Sequence, residues 1–435
     1  MGGTAMKLGD DASEVQIHLL KRKSSFEIFF CSLMLAVSAY SLFLLCSSHA
    51  EQQYTMFFGG PGSGNSFMDF FNVVKYVSTR DPYHFTELYG LSEKAYPPLA
   101  YLILYPFSCL LDYRTIAPVA AKGTQMGIMS LFFFIGVSVL ICAFLLFHYK
   151  TGSGLTKAAT VFALFSSGTF LFAVERANMI LLTAGLLAAF LFWYKSDSRM
   201  LREFAYIALA CAAALKVYPA IFGLLLLKDR RWIDAVRAAI YGVLAFFIPF
   251  FFFTGGRYNF NQLLINVQLN TEAYRFLAPN YRFGWLAYYL WTHTDFPDYQ
   301  SWINLGNVMM VLAIVFFIAM KSHWKAIMLL TCVIIATPVN SAYYCGLYIF
   351  IPIIFFLNEK KHSFFDWIYI LLFVVILNPL QFTCENLPVT VPIANCALLI
   401  LFILLLSEAI YHAGLEIYRQ ISKRISKRRL QNNSI

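Results

Sequence analysis

The chain has 435 residues, of which 60% are hydrophobic, 18% aromatic and only 13% charged. Soluble domains carry about a quarter charged residues, so this composition, with a mean hydropathy of +0.64, excludes a water-soluble surface and predicts one all-α integral membrane bundle. The net charge of +10 does not signal nucleic acid: six of the cations, Arg419, Lys423, Arg424, Lys427, Arg428 and Arg429, form an acid-free terminal run, and no basic soluble domain is present to bind it.

Residues 1–26 read as a cytoplasmic segment that carries Lys21-Arg22-Lys23. The apolar run over 27–47 is longer than a signal-peptide core, so an uncleaved first span is expected, although Ser48-His49-Ala50 resembles a small-residue cleavage site. Next comes an outer loop over about 48–123, rich in Tyr, Phe, Pro and Asn. Within it Asp69, Asn72 and Tyr76 recur at helical spacing and share a face. A carboxylate on such a membrane-surface helix suits a general base for a substrate hydroxyl. The plainer alternative is a solvated acid paired with Lys75 or Arg80. Arg80-Asp81-Pro82-Tyr83 and Tyr96-Pro97-Pro98-Leu99 are turn and helix-start signals.

Apolar runs of spanning length follow near 124–147, 158–174, 178–194, 233–254, 302–320, 343–357, 364–382 and 391–411. Shorter ones lie at 97–111, 204–215, 218–227 and 326–337. Cytoplasmic loops collect Lys and Arg. The clusters Lys150/Lys157, Lys195/Arg199/Arg202, Lys228/Arg230/Arg231, Lys321/Lys325, Lys360/Lys361 and the tail fall on one side if 97–111 lies at the membrane without crossing it. The runs 204–215 and 218–227 then form a hairpin across the bilayer. About twelve spans result, with both termini cytoplasmic. The polytopic domain is 27–415, its second outer loop about 254–301 and its basic tail 416–435. The nine cysteines are scattered, mostly in apolar runs, and read as small core residues rather than disulfide or zinc ligands.

Two interruptions carry charge to the outer side. Glu175-Arg176-Ala177-Asn178 separates two apolar runs, where such groups are costly unless they pair or face a cavity. The plainer reading pairs Glu175 with Arg176. Lys216-Val217-Tyr218-Pro219 breaks the hairpin, and a lysine there suits a lipid phosphate, or else snorkels beside a proline kink. Tyr274, Arg275, Asn280, Tyr281 and Arg282 in the second loop, and Pro338-Val339-Asn340-Ser341-Ala342-Tyr343-Tyr344, add aromatic and cationic groups suited equally to sugars, phosphates and a membrane interface.

An outer-loop helix with an acid, then Asp-Pro-Tyr, Tyr-Pro-Pro-Leu, Glu-Arg-x-Asn and Ala-Leu-Lys-x-Tyr-Pro, occur in that order. This order resembles the polyprenyl-phosphate-sugar-dependent glycosyltransferases of the GT-C superfamily, and among them the polyprenyl-phosphate-mannose-dependent α-mannosyltransferases of glycosyltransferase family 87. The likeness runs from Ser24 to about Arg237. Where members often carry Glu-Arg-Gly-Asn, this chain has Ala177.

The resemblance implies a GT-C-like bundle with a juxtamembrane helix at Tyr-Pro-Pro, and it places the catalytic base on Asp69. On this reading mannose or another hexose passes from a polyprenyl-phosphate donor to a glycolipid or glycan acceptor on the non-cytoplasmic side. Arg176 and Lys216 are expected to meet the donor phosphate, with Glu175, Asn178 and Tyr218 on the sugar or its ligands. Asp81, Tyr96, Arg275, Arg282 and Tyr343 are additional candidates. No metal or cofactor is required: an Asp-x-Asp pair and a His cluster are missing from the outer loops, and a lysine suffices for a monophosphate leaving group. Membrane lipids are expected contacts. The bacterial plasma membrane is the favoured location, or the endoplasmic reticulum if the source is eukaryotic. The rival expectation is a transporter or flippase of lipid-linked sugars.

Overall fold

A computed structural model of the chain describes residues 7–47, 53, 65–276, 280–338, 342–384 and 387–432. The Ser48-His49-Ala50 segment and Val339, Asn340 and Ser341 lie outside them. Among the described residues the regular structure is helical apart from a two-residue antiparallel pair, β1 (Thr383–Cys384) and β2 (Leu387–Pro388).

The first long helix is α1 (Lys7–Leu45), followed by the outer-loop helices α2 (Met68–Val77), α3 (Pro98–Ser108) and α4 (Pro118–Lys122). Next come α5 (Gln125–Tyr149), α6 (Gly154–Phe165), α7 (Gly168–Arg176), α8 (Ile180–Trp193) and α9 (Arg199–Leu215). A 3-10 stretch, Tyr218–Gly223, leads into α10 (Leu224–Lys228). Beyond it are α11 (Trp232–Phe247), α12 (Asn259–Tyr274), α13 (Phe283–His293), α14 (Tyr299–Phe316) and α15 (His323–Ala336). A second 3-10 stretch, Tyr343–Ile349, opens α16 (Phe350–Leu357), and α17 (Asp366–Leu377) and α18 (Thr390–Asn432) complete the chain.

Among the described residues, five helices are long and apolar enough to cross a bilayer by themselves: Ser25–Leu45, Gln125–Tyr149, Trp232–Phe252, Tyr299–Ala319 and Thr390–Ser426. The pair α6 and α7, bent by 64° at Ser166-Ser167, makes a sixth span if counted as one. The other apolar helices have 10–17 residues. Among them is α3, whose 11 residues reach only about 16 Å at 1.5 Å per residue, against a hydrocarbon thickness of about 30 Å. At that length the Tyr-Pro-Pro helix falls short of a full bilayer by itself, and it packs on α2. The protein is a multi-pass membrane protein.

Polar residues choose the helix boundaries. Thr124 caps α5 by accepting from the Gly127 amide at 3.0 Å, Ser153 caps α6 from Thr156, and Ser198 caps α9 from Leu201. Pro98 starts α3, where its missing amide proton costs nothing.

Side chains then sort the ends into two groups. On one side, Lys150 pairs with Glu27, Asn358 bonds Tyr149 and Thr151, Lys195 meets Asp229 at 2.8 Å, and Lys325 meets Glu408 at 2.5 Å. On the other, Thr254 bonds the Arg80 carbonyl at 2.8 Å, and Lys75 donates to that of Tyr113 at 2.9 Å. The first side carries the basic clusters expected to be cytoplasmic.

Two apolar cores match this division. The larger fills the bundle around Phe190, Leu330, Tyr348 and Leu401. There Gly346 permits close approach: a Cβ at this position would stand 2.5 Å from Thr169 on α7 and 2.9 Å from the Tyr281 ring. The smaller core lies on the outer side, where Phe70, Tyr76, Tyr83 and Tyr101 of the first loop join Phe134, Phe250 and Leu263. The loop is thus a packed cap held by aromatic burial.

Lys94 lies fully buried inside this cap, its Nζ 3.9 Å from the Tyr76 ring centre and donating to the Leu88 carbonyl. Burial lowers its pKa to about 8. Below that value both folded and unfolded chains carry the proton, and the full cost of burying the charge is present. Above it the unfolded lysine stays protonated up to its ordinary value near 10.4 while the folded one does not, so stability rises with pH across that window. Thermal melts of detergent-solubilised protein should show this rise between about pH 8 and 10, and Lys94→Met should flatten it. An unchanged slope in that variant would show that Lys94 is not its source.

Candidate active site

Asp69, Arg176 and Asn178 meet on the side of the bundle opposite the basic clusters, with Glu175, Tyr96, Lys216 and Tyr218 beside them. Asp69, in the first turn of α2, is only partly exposed. Its Oδ1 accepts from Arg176 Nη2 at 2.5 Å and from Nε at 3.2 Å. Its Oδ2 accepts from Asn178 Nδ2 at 2.6 Å. Arg176 Nη1 also donates to the Asn65 carbonyl at 3.1 Å, and the Phe67 amide donates to the Glu175 carbonyl at 2.7 Å. Charge-assisted bonds of this kind are about twice as strong as neutral ones. Here they tie the start of α2 to the junction of α7 and α8.

That junction works because Ala177 adopts a left-handed conformation, φ 49° and ψ 43°. It ends α7 and turns the chain so that residues on either side of it face one carboxylate. Asn178 does two jobs: its Oδ1 accepts from the Ile180 amide at 2.9 Å while its Nδ2 holds Asp69. The pairing of Asp69 with Lys75 or Arg80 does not occur. Lys75 donates to the carbonyls of Tyr113, Arg114 and Ile116, and Arg80 donates to that of Phe252. Arg176 likewise bonds Asp69, and Glu175 lies buried beside it.

Aromatic rings extend the cluster. The Tyr96 hydroxyl lies 3.4 Å from Asn178 Nδ2, and Lys216 Nζ stands 4.8 Å from the Tyr96 ring centre and 5.8 Å from that of Tyr344. Lys216 ends α9 with an extended backbone and is tucked under the two rings rather than snorkelling outward. Tyr218 lies beside this group, its hydroxyl 3.9 Å from Cys345 Sγ and its ring against Tyr348.

Other expected residues lie elsewhere. Asp81 bonds His84 at 2.8 Å in an exposed turn. Tyr343 stacks on Tyr281 and donates to the Asn378 carbonyl at 3.1 Å, so Tyr344, one position on, is the residue at the site. The exposed Arg275 lies over Phe276, and its carbonyl accepts from Arg282. Periodicity offered no signal for Tyr344, because the 3-10 geometry of Tyr343–Ile349 sets which ring turns inward. Among the described residues no three His, Cys, Asp or Glu side chains converge as a metal-binding group.

The sequence profile of glycosyltransferase family 87 matches residues 95–338, which hold Arg176, Asn178 and Lys216 in this arrangement. The chain belongs to glycosyltransferase family 87. It is therefore a membrane glycosyltransferase, and the transporter expectation is set aside. The match begins later than the motif order suggested and continues past Arg237 to Pro338. Asp69 precedes the matched region and is bonded directly to two residues inside it. No curated protein matches the chain.

The left-handed Ala177 costs on the order of 1 kcal/mol relative to glycine. Ala177→Gly should therefore keep the site intact and stabilise the protein by up to about 1 kcal/mol, whereas Ala177→Val should destabilise it, as read by melting temperature in detergent. If valine is tolerated as well as glycine, the junction is not left-handed.

Proposed function

We propose that this glycosyltransferase moves mannose or another hexose from a polyprenyl-phosphate donor to a lipid-linked or glycan hydroxyl on the non-cytoplasmic face, with Asp69 as general base. The observation that carries the reading is the shared hold of Arg176 and Asn178 on Asp69, with Lys216 one tyrosine ring away.

A carboxylate oxygen has two lone-pair sites. Both sites of Oδ1 are occupied by Arg176, while Oδ2 receives only Asn178 among the described residues. One position on Oδ2, on the side of Asn178 and Tyr96, remains for the acceptor hydroxyl. Asp69 takes that proton as the acceptor oxygen bonds to the anomeric carbon. The bond from that carbon to the phosphate oxygen breaks, and its electron pair leaves with the polyprenyl phosphate. Lys216 and Arg176 stabilise the charge that develops there, an effect strengthened by the low-dielectric surroundings. Glu175 lies behind Arg176, where it orients that guanidinium.

Topology supports a catalytic face opposite the basic loops. The contacts that gather Glu27, Lys150, Asp229, Lys325 and Glu408 at one side, and Asp69, Thr254 and Asn280 at the other, fit about twelve passages of the chain. On this reading both termini are cytoplasmic.

Loss of a general base typically costs about 10²–10⁴-fold. With purified protein, radiolabelled polyprenyl-phosphate mannose and a membrane lipid extract, Asp69→Asn should lower transfer by that amount at unchanged expression. Lys216→Gln should slow transfer without abolishing it. Full transfer by Asp69→Asn would remove Asp69 as the base. If no label enters a covalent product with the unaltered enzyme, the donor class is wrong.

A further inference from the structure

Arg282 is a buried arginine without a carboxylate partner among the described residues. It is 9% exposed, and among the described residues its Nη1 donates to the Arg275 carbonyl at 3.0 Å. A guanidinium offers five donors, of which this bond uses one. The segment that carries it is clamped in place. The Asn280 side chain accepts from the Arg282 amide at 2.9 Å, and Asn395 donates to the carbonyls of residues 280 and 282. The Tyr281 hydroxyl donates to the Ile376 carbonyl at 2.8 Å. Burial, and after it the neighbouring Arg275, lowers the Arg282 pKa to about 10. A fixed, desolvated cation of this kind calls for an anion.

Arg282 borders a cavity of about 520 Å³, within the range of about 300–1,000 Å³ usual for ligand sites. Its other walls are mostly apolar, including Ile221, Phe283, Ile303, Met310 and Val333. Two rim residues, Val217 and Val311, are 58% and 60% exposed. In a membrane bundle such apolar exposure faces lipid, so the cavity opens sideways into the bilayer. Tyr218, two positions after Lys216, also lines it. A cation, an apolar chamber and a lateral opening thus adjoin the segment that carries Lys216.

We propose that this cavity receives the first units of the donor's prenyl chain, with the donor phosphate passing between Arg282 and Lys216. The assignment rests on the polyprenyl-phosphate reading above. It adds a second phosphate-binding cation and the direction from which the lipid enters. Gly284 and Gly306 line the chamber, and Gly306 has only the Phe283 Cβ, at 3.6 Å, near where its own Cβ would stand. A large side chain at 306 would therefore project into the chamber and fill it.

The test measures binding of a fifteen-carbon prenyl monophosphate to the full-length protein in detergent, apart from catalysis. Losing a hydrogen-bonded charge typically costs about tenfold or more in affinity. Arg282→Gln should weaken the prenyl phosphate by that factor and leave the corresponding prenyl alcohol unchanged. Gly306→Phe should weaken both. Arg282→Lys should recover part of the loss, which a merely unfolded variant would not show. Unchanged binding of the prenyl phosphate in Arg282→Gln and Gly306→Phe overturns the cavity assignment while transfer and its Asp69 dependence still stand. Displacement of the probe by an equal concentration of phosphatidylglycerol also overturns it, since the site would then be a general anionic-lipid site. If the unaltered protein binds no prenyl phosphate at all, the donor reading fails together with the cavity.

Discussion

One carboxylate ties the outer half of this protein together. Asp69 belongs to a loop helix, whereas Arg176 and Asn178 belong to the ends of two bundle helices, and three hydrogen bonds join them. At a membrane surface these groups lose part of their hydration, so leaving any one unmatched is costly. The bonds therefore set the position of α2 on the bundle. Among the described residues they engage three of the roughly four lone-pair sites of Asp69. The same contacts that build the cap aim the proposed base.

The aromatic cap makes that geometry possible. Tyr76, Tyr83 and Tyr101 are buried with Phe70 and Phe71, and α3, which carries Tyr101, packs on α2. Lys94 inside the cap has a tyrosine face and a carbonyl as partners, a costly arrangement that only a well-packed surround sustains. On the opposite side charges meet charges, as in Lys325 with Glu408 and Lys195 with Asp229. The side that holds Asp69 adds to its Arg176–Asp69 pair Lys216 against aromatic rings and Arg282 on a carbonyl.

Much of this was legible in the chain. The scarcity of charge and the apolar runs require a bilayer. The prolines at 97 and 98 begin a helix where the chain places it, at Pro98. Glu175-Arg176-Ala177-Asn178 stood out because polar groups between apolar runs need partners. The partners were not legible. Lys75 was the near neighbour of Asp69 in sequence, yet Arg176, 107 positions away, holds it. Of the neighbouring rings it is Tyr344 that stands near Lys216, since the 3-10 turn sets which residue points inward. Asp81 and Arg275, additional candidates in the chain, have local partners.

Composition and charge placement by themselves determined the membrane environment and the helical class, because hydration cost acts on each residue wherever the fold puts it. Only the tertiary structure decided which acid meets which base, which tyrosine lines the site, and that a left-handed turn at Ala177 brings Arg176 and Asn178 onto one carboxylate. Those outcomes depend on distances and directions between helices far apart in the chain. Local sequence carries no term for them: Asp69 acquires its environment only when α2 docks on α7.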